Sequence, residues 1–580
     1  MKPRVFLPAI LSGLLLWAAF FPLDLGPVGF IALVPWLSLV RAPVSNRRRY
    51  FAAYVGGLAF FVPALNWLRV AHPMMYFSWA GLALTCSMYW VFGLWLLRRL
   101  DRIPGFPLAL SLPIVWVALE YTRAHFPTGF SFLTHVGLHQ KIGFGWYFLG
   151  YTQHAFLPLI QVADLGGVYA VSFVVAAVNG LVADWASRSA TLRGWLRWPG
   201  GVPGVGPRLI PSTAGVVSVF ASAVGYGMVQ LDHPDFTPGP RVAAIQGNMP
   251  QLEKSQKGER LGEMYSRLHY QATIQSPPPD LIVWPETCMP VDWAELAPGE
   301  NPKAVSATFR EDLELAGHYL GQTDLRTKYP NWKAPKPDWR TTTLFGLSGL
   351  EWEGGKVWRY NSALLINPQG AKIGRYDKMH LVPFGEYVPL RETFPWLNTF
   401  TPYTYDYSCR PGEHWTRFPL TAADGRTYTF ACLICYEDSD PYIARQYSGP
   451  TDPVNFLVNI SNDGWFDGTE EHEEHLAICR FRAVEARRSI IRSVNMGISA
   501  VIDGDGRVIA LPAESWSASK KVEAIVSVAI PIDNRVSNYS RLGDWIPASC
   551  WGLVLLGIFA GRFVLRSRNP QSLSHLRKDG

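Results

Sequence analysis

Residues 429 to 437 read Thr-Phe-Ala-Cys-Leu-Ile-Cys-Tyr-Glu, an apolar run that turns polar after Cys435. Thr429 to Ile434 has the length and apolar content of a buried strand, which leaves Cys435 at its end. Functional side chains are expected at such ends, because the loop is exposed while the sheet fixes its position. Taken alone, a cysteine after Leu433-Ile434 also fits an inert buried thiol.

The same pattern occurs earlier in the chain, where Leu281-Ile282-Val283-Trp284 runs into Pro285-Glu286. Further strand-like runs lie at 242–245, 342–346, 363–366, 456–460, 490–494 and 499–502, with helical patterns near 259–274, 303–319 and 472–488. Strands alternating with helices predict an α/β domain of layered sheets, entered through a Pro/Gly-marked linker at Pro234 to Pro240.

That domain is flanked by sequence of another kind. The chain of 580 residues is 48% hydrophobic and only 17% charged, and the skew is concentrated at its two ends. A membrane span needs about 20 apolar residues. Candidate spans run 5–22, 27–41, 51–68, 77–97, 107–122, 163–185, 212–231 and 546–565, about eight transmembrane helices in all. The first lacks a small-residue cleavage site and reads as a retained helix. The expected division is therefore a membrane domain over 1–231, a soluble catalytic domain over 232–545, and a last span with a basic tail over 546–580.

Basic residues resist translocation, so arginines mark the cytoplasmic loops. They cluster at Arg41, Arg47, Arg48 and Arg49, at Arg98, Arg99 and Arg102, at Arg188, Arg193, Arg197 and Arg208, and in the tail at Arg566 and Arg568. Both termini are then cytoplasmic, and 232–545 lies outside the cytoplasm. The net charge of +7 is accounted for by this topology, and no nucleic-acid recognition module is visible. Seven cysteines are too scattered for a disulfide scaffold; a Cys288–Cys409 bridge is conceivable but not fixed by the sequence.

Chemistry enters with a third stretch, Tyr376-Asp377-Lys378. A thiol is mostly protonated at neutral pH, with an ordinary pKa of about 8.5, so Cys435 needs a base. Glu286 can supply one, and the Lys378 ammonium can offset the resulting negative charge and stabilise an oxyanion. Base, cation and thiol together are suited to acyl transfer.

These segments resemble the signature segments of the nitrilase superfamily, which implies an α-β-β-α sandwich with Glu286, Lys378 and Cys435 as the catalytic triad. Lys378-Met-His-Leu-Val-Pro-Phe-Gly-Glu386-Tyr-Val-Pro389, Ser461-Asn-Asp-Gly-Trp-Phe466 and Ala163-Asp-Leu-Gly-Gly-Val-Tyr169 resemble its membrane-embedded apolipoprotein N-acyltransferase branch. The wording departs from the commonest one at Gly464 and Asp467, and Thr323 to Arg340 is a long polar insertion. The resemblance implies an enzyme of the bacterial inner membrane with a periplasmic catalytic domain. It would pass an acyl chain from a phospholipid, typically phosphatidylethanolamine, through a Cys435 thioester to the α-amine of a diacylglyceryl apolipoprotein. It further implies that Glu386 orients Lys378 or supports the oxyanion, and that Tyr436 and Glu437 shape the pocket. No cofactor is expected: the ester is already activated, and no phosphate-binding loop is present.

The aromatic, Pro-broken stretch 394–403, with Trp396, Phe400 and Tyr403, is a candidate lid dipping into lipid. Cys432 should point away from Leu433 into the core. No metal is expected either, since His472-Glu-Glu-His475 lacks the H-E-x-x-H spacing of zinc peptidases and reads as a helix start with favourably placed acids. Two other readings use the same residues: a membrane-tethered amidase, and a non-catalytic membrane assembly protein. Physics favours work at the bilayer, because drawing one 16-carbon chain into water costs on the order of 12 kcal/mol.

Overall fold

The computed structural model describes residues 5–103, 105–128, 142–195, 209–232, 235–256, 259–320, 339–389, 391, 394–400 and 407–568. Tyr403 and most of the 323–340 insertion lie outside the described residues. The N-terminal part is helical, with α1 (Phe6–Ala18), α2 (Asn46–Ala64), α3 (Met75–Leu100), α4 (Leu108–His125), α5 (Val168–Ala186) and α6 (Leu209–Asp232). Among the described residues, α3, α5 and α6 are long and apolar enough to cross a membrane, and Phe6–Ala18 and Trp545–Gly561 are shorter apolar helices.

Two expected continuous segments are interrupted. Residues 27–41 form a 3-10 turn, Gly26–Phe30, and a single helical turn, Val34–Leu37, each with a proline in its first positions. Two of the backbone groups freed by the break are paired by one side chain, as an apolar environment favours. Buried Asn179 accepts from the Leu33 N–H (2.9 Å) and donates to the Gly29 carbonyl (2.8 Å). The 163–185 segment breaks at Gly167, whose φ of +69° suits glycine, and where a Cβ would meet the Tyr539 ring at 2.9 Å. The long helix α5 therefore starts only at Val168.

The C-terminal part is a sandwich of two sheets. One contains β1 (Phe236–Gln246), β2 (Leu281–Val283), β3 (Trp293–Leu296), β4 (Thr342–Glu353), β5 (Lys356–Ile366), β6 (Lys372–Asp377) and β13 (Ala524–Asp533), in the order β13-β1-β2-β4-β5-β6, with β3 also on β4. The other runs β12-β11-β10-β9-β8-β7, from β7 (Phe418–Thr421), β8 (Thr427–Ile434), β9 (Phe456–Asn462), β10 (Ser489–Asn495), β11 (Ala500–Ile502) and β12 (Val508–Ala510). Parallel pairs β1/β2, β2/β4, β8/β9 and β9/β10 form the centres, with antiparallel strands at the edges. The Pro234 to Pro240 stretch is only in part the expected linker. From Phe236 it is paired with β13, and a register shift between Pro238 and Arg241 absorbs the prolines.

Period-2 alternation sorts the side chains into layers. Val242, Ala244, Val283, Cys432, Ile434 and Val458 fill the space between the sheets. Ala243, Ile245, Ile282 and Trp284 face outward onto α7 (Glu259–Thr273) and α8 (Ala307–Leu320). On the other sheet Ala431, Leu433 and Leu457 face α9 (Pro441–Ser448) and α10 (Glu471–Ala486). Cys432 and Leu433 thus take opposite sides, as their adjacency on a strand requires. The last helix, α11 (Trp545–Arg568), returns to pack on α4 and α3.

Candidate active site

Glu286 follows β2 in a buried turn. Gly346 of β4 passes so close that a Cβ there would lie 2.5 Å from the Glu286 Cα, so the carboxylate's position depends on a missing side chain one strand away. Lys378 directly follows β6, and its N–H donates to the Asn361 carbonyl of β5 (2.8 Å), which pins the start of the loop that carries the lysine. Its ammonium is buried, 2.9 Å from Glu386 Oε2 and 3.5 Å from Glu286 Oε1. The Asn361 side chain holds both carboxylates at once, donating to Glu286 Oε1 (2.6 Å) and Glu386 Oε1 (2.7 Å). Glu386 also accepts from the Val382 N–H (2.8 Å), which folds the loop after Lys378 back toward it.

Cys435 comes from the other sheet. It leaves β8 with φ +53° and opens a 3-10 turn, Cys435–Ser439, so the half-buried thiol is lifted off the strand. A positive φ at a non-glycine residue is strained, and the surroundings impose it. Glu437 is the main clamp: it accepts from the Ile434, Met379 and His380 N–H groups and from the Tyr376 hydroxyl, at 2.7 to 3.2 Å. One buried carboxylate therefore ties the cysteine turn to the lysine loop. The Cys435 carbonyl accepts from Asn459 Nδ2 at 3.3 Å.

Electrostatics set the resting protonation states. Burial, then the Glu286 charge, push the Cys435 thiol up to about 12, against the pull of Lys378. Burial alone would lower the Lys378 ammonium, but Glu386 and Glu286 outweigh it and hold it well above its ordinary value. At neutral pH the set is a neutral thiol beside a charged lysine shared by two carboxylates, and ionising the thiol requires a proton acceptor at the moment of attack.

The structure thus gathers Glu286, Lys378, Glu386, Cys435 and Glu437 around one point. The Tyr436 ring stacks on Trp146 of the helical part (centroids 6.2 Å apart, planes at 3°). Trp396 lies in a 3-10 turn, Pro395–Phe400, and is 60% exposed, with Phe394 beside it. Cys288 and Cys409 are free thiols, so the conceivable bridge between them is not formed. Sequence reading missed Asn361 and Trp146. The signal for Asn361 was a polar residue leading into an apolar strand run, but composition alone starts that run only at Ala363.

A thiol, a carboxylate and an ammonium at the ends of strands in a four-layer sandwich define a thiol-dependent enzyme of carbon-nitrogen hydrolase type, and residues 241–533 match the carbon-nitrogen hydrolase family model. Residues 12–181 match the model of the apolipoprotein N-acyltransferase N-terminal domain. The chain is 30% identical over 561 residues to the apolipoprotein N-acyltransferase of Geobacter metallireducens, covering 94% of this chain and 93% of that one. It is 28% identical over 580 residues to that of Rhodopirellula baltica, covering 93% and 94%. The chain belongs to the apolipoprotein N-acyltransferase family. Among solved structures, Saccharomyces cerevisiae Nit3, a member of branch 10 of the nitrilase superfamily, aligns with 17% identity and a TM-score of 0.32, covering 53% of this chain and 96% of its own.

Proposed function

We propose that this protein transfers an acyl chain from a phospholipid to the N-terminal α-amine of a diacylglyceryl apolipoprotein, through a thioester on Cys435. The observation that carries the reading is the stack of Tyr436 on Trp146, which sets the residue after the nucleophile against the apolar helical part. A narrow crevice in the helical part is lined by Phe60, Phe61, Trp90 and Trp116, with Glu120 and Arg123 among them, and includes Tyr147, the neighbour of that tryptophan. A thiol next to a residue that packs on this apolar part can meet an acyl chain without drawing it through water.

In this reading Glu286 accepts the Cys435 proton as the sulfur attacks the ester carbonyl. The Lys378 ammonium stabilises the tetrahedral oxyanion, and Glu386 and Asn361 hold that ammonium in place. When the carbonyl re-forms, the C–O bond breaks and the proton passes from Glu286 to the departing lysophospholipid. The acceptor amine then attacks the thioester, Glu286 takes its proton, and the C–S bond breaks to leave an amide and a Cys435 thiolate that is reprotonated. The donor is typically phosphatidylethanolamine, and no cofactor takes part.

The proposal includes the setting. In this reading about eight membrane-spanning segments, one of them broken at 31–33, divide the chain into a membrane domain over 1–231, a catalytic domain over 232–545 and a last span with a basic tail over 546–580, with the thiol on the periplasmic side of a bacterial inner membrane. The arginine distribution supports that orientation. Exposed Trp396 supports the lid reading for its turn. The test is intact-protein mass spectrometry during turnover with phospholipid. A hydroxylamine-sensitive acyl adduct is expected on the wild-type chain and not on Cys435→Ala. Active turnover with no such adduct on the wild type would sink the thioester route.

A further inference from the structure

Behind the thiol, α10 begins with Glu471 and His475 one turn apart on the same face, and the loop after β9 brings Asp463 against both. His475 Nδ1 lies 3.3 Å from Asp463 Oδ1 and 3.3 Å from Glu471 Oε1. Ligand atoms of the three residues fall within 4.8 Å of one another. We propose that Asp463, Glu471 and His475 form a binding site for one divalent transition-metal cation, of the zinc or manganese class.

Several independent observations support this. Metal–ligand bonds of about 2.0 to 2.1 Å in tetrahedral array put neighbouring ligand atoms roughly 3.3 to 3.4 Å apart, close to both measured separations. His475 Nδ1 is fully buried and makes no hydrogen bond of good geometry, although one oxygen of Asp463 and one of Glu471 each lie 3.3 Å from it, so it faces both without being satisfied by either. The other imidazole nitrogen, Nε2, lies 2.8 Å from Asp438 Oδ1, the carboxylate support that orients histidine ligands in metal sites. Asp463 uses its second oxygen, Oδ2, for Arg492 (3.0 Å), which leaves Oδ1 on the cluster side, where Ser461 donates to it (2.6 Å).

Three carboxylates, Asp438, Asp463 and Glu471, lie buried around the site, and the Arg492 guanidinium pairs with two of them, Asp438 and Asp463. His472 is not part of the set. Its Nε2 accepts from the Gly468 N–H (2.8 Å), which leaves its proton on Nδ1, facing Asp463 Oδ2 at 3.7 Å. Nothing in the sequence pattern marks the site, because Asp463 arrives from a loop that precedes the helix. A cation there would lock that loop to α10 directly behind the Cys435 turn.

The test uses the full chain in detergent, stripped with a chelator and then exposed to Zn²⁺ or Mn²⁺ alone, followed by exhaustive dialysis and elemental analysis. One equivalent retained per chain is expected, falling at least tenfold in Glu471→Gln while that variant melts like the stripped wild type. No retained metal, or equal retention in the variant, overturns the proposal; the first outcome means the cluster is held by protons, and the second that the ion binds elsewhere. Should Glu471→Gln not fold, X-ray absorption on the zinc-loaded wild type decides. A shell of one imidazole nitrogen with carboxylate oxygens is expected, and a sulfur-containing or purely hydrated shell overturns the site.

Discussion

Lys378 and Arg487 are both buried cations held between two carboxylates, and they do opposite things with them. Arg487 grips Asp164 at 2.6 Å and Asp505 at 2.9 Å, and donates to Gln161 at 2.7 Å, so its planar fork is saturated. Asp164 belongs to the helical part and Arg487 to the sandwich, and the pair rivets one to the other. Lys378 holds Glu386 at 2.9 Å but Glu286 only at 3.5 Å. An ammonium is a point charge that need not saturate its neighbours, and Glu286 is positioned by Asn361 at 2.6 Å rather than by a tight grip of the cation. In one centre the ion pair is the end in itself; in the other it leaves a reactive group in reserve.

The contrast is broken most sharply at Glu286. Glu286→Gln keeps the shape and an acceptor for Asn361 but removes the proposed base, and single-turnover release of lysophospholipid is expected to fall by about 10² to 10⁴. Retained turnover would show that the loose contact has no catalytic meaning. Lys378→Met removes the charge proposed to face the oxyanion and should cost about 10² to 10³ in the same assay. Lys378→Arg should not restore it, since a guanidinium would saturate both carboxylates in the manner of Arg487.

At Arg487 the expected loss is in stability. Arg487→Ala leaves buried Asp164 with only the Tyr226 hydroxyl, while Asp505 keeps Arg507 and Arg535, and losing the partner of that one carboxylate costs about 3 to 5 kcal/mol, read as a lower denaturation midpoint in detergent. Asp164→Asn in the same chain should recover part of it, with turnover per folded molecule unchanged. If Arg487→Ala instead lowered turnover at unchanged stability, the two centres would not differ in kind.

How much of this was legible follows the range of the forces involved. The strand at Thr429–Ile434 and the placement of Glu286 and Cys435 just past strand ends are local patterns, and they were visible. Helices α3, α5 and α6 stood out by composition. The breaks at 31–33 and at Gly167 did not, because they are sustained by Asn179, 146 residues from Leu33, and by Glu485, 317 residues from Val168. Asn361 was equally hidden: its hold on two carboxylates arises only when β5 and β6 pair antiparallel and bring Ser362 opposite Asp377. Asp463 and His475 read as loop and helix start, and nothing in their spacing shows that they meet.

A smaller effect separates the electrostatic role of Glu286 from its role as base. Because burial and the Glu286 charge hold the Cys435 thiol up at about 12, the thiol is neutral at pH 7. Its thiolate fraction, and with it alkylation of Cys435 by iodoacetamide, should rise about tenfold per pH unit between 7 and 9. Glu286→Gln removes one cause of the upward shift, so the thiolate becomes more populated. Peptide mapping at pH 9 should show Cys435 alkylated faster in the variant, even though its acyl transfer is slower. Slower alkylation would mean that the carboxylate assists the thiol more than its charge opposes it.

The smallest expected effect lies where the two parts of the chain touch beside the nucleophile. The Tyr436 ring lies parallel to Trp146, and the Trp146 indole N–H donates to Glu474 of α10 at 2.8 Å. The tryptophan is thereby fixed by the sandwich while it supports a residue of the cysteine turn. Aromatic pairs contribute about 0.5 to 1.5 kcal/mol beyond their buried area, so a double-mutant cycle over Tyr436→Leu and Trp146→Leu should give a coupling of that size in stability. If the stack also steadies the turn that carries Cys435, each single variant should slow thioester formation more than it weakens phospholipid binding. A coupling near zero, with both steps equally affected, would leave Arg487 as the rivet between the two parts and reduce Tyr436 to a wall of the pocket.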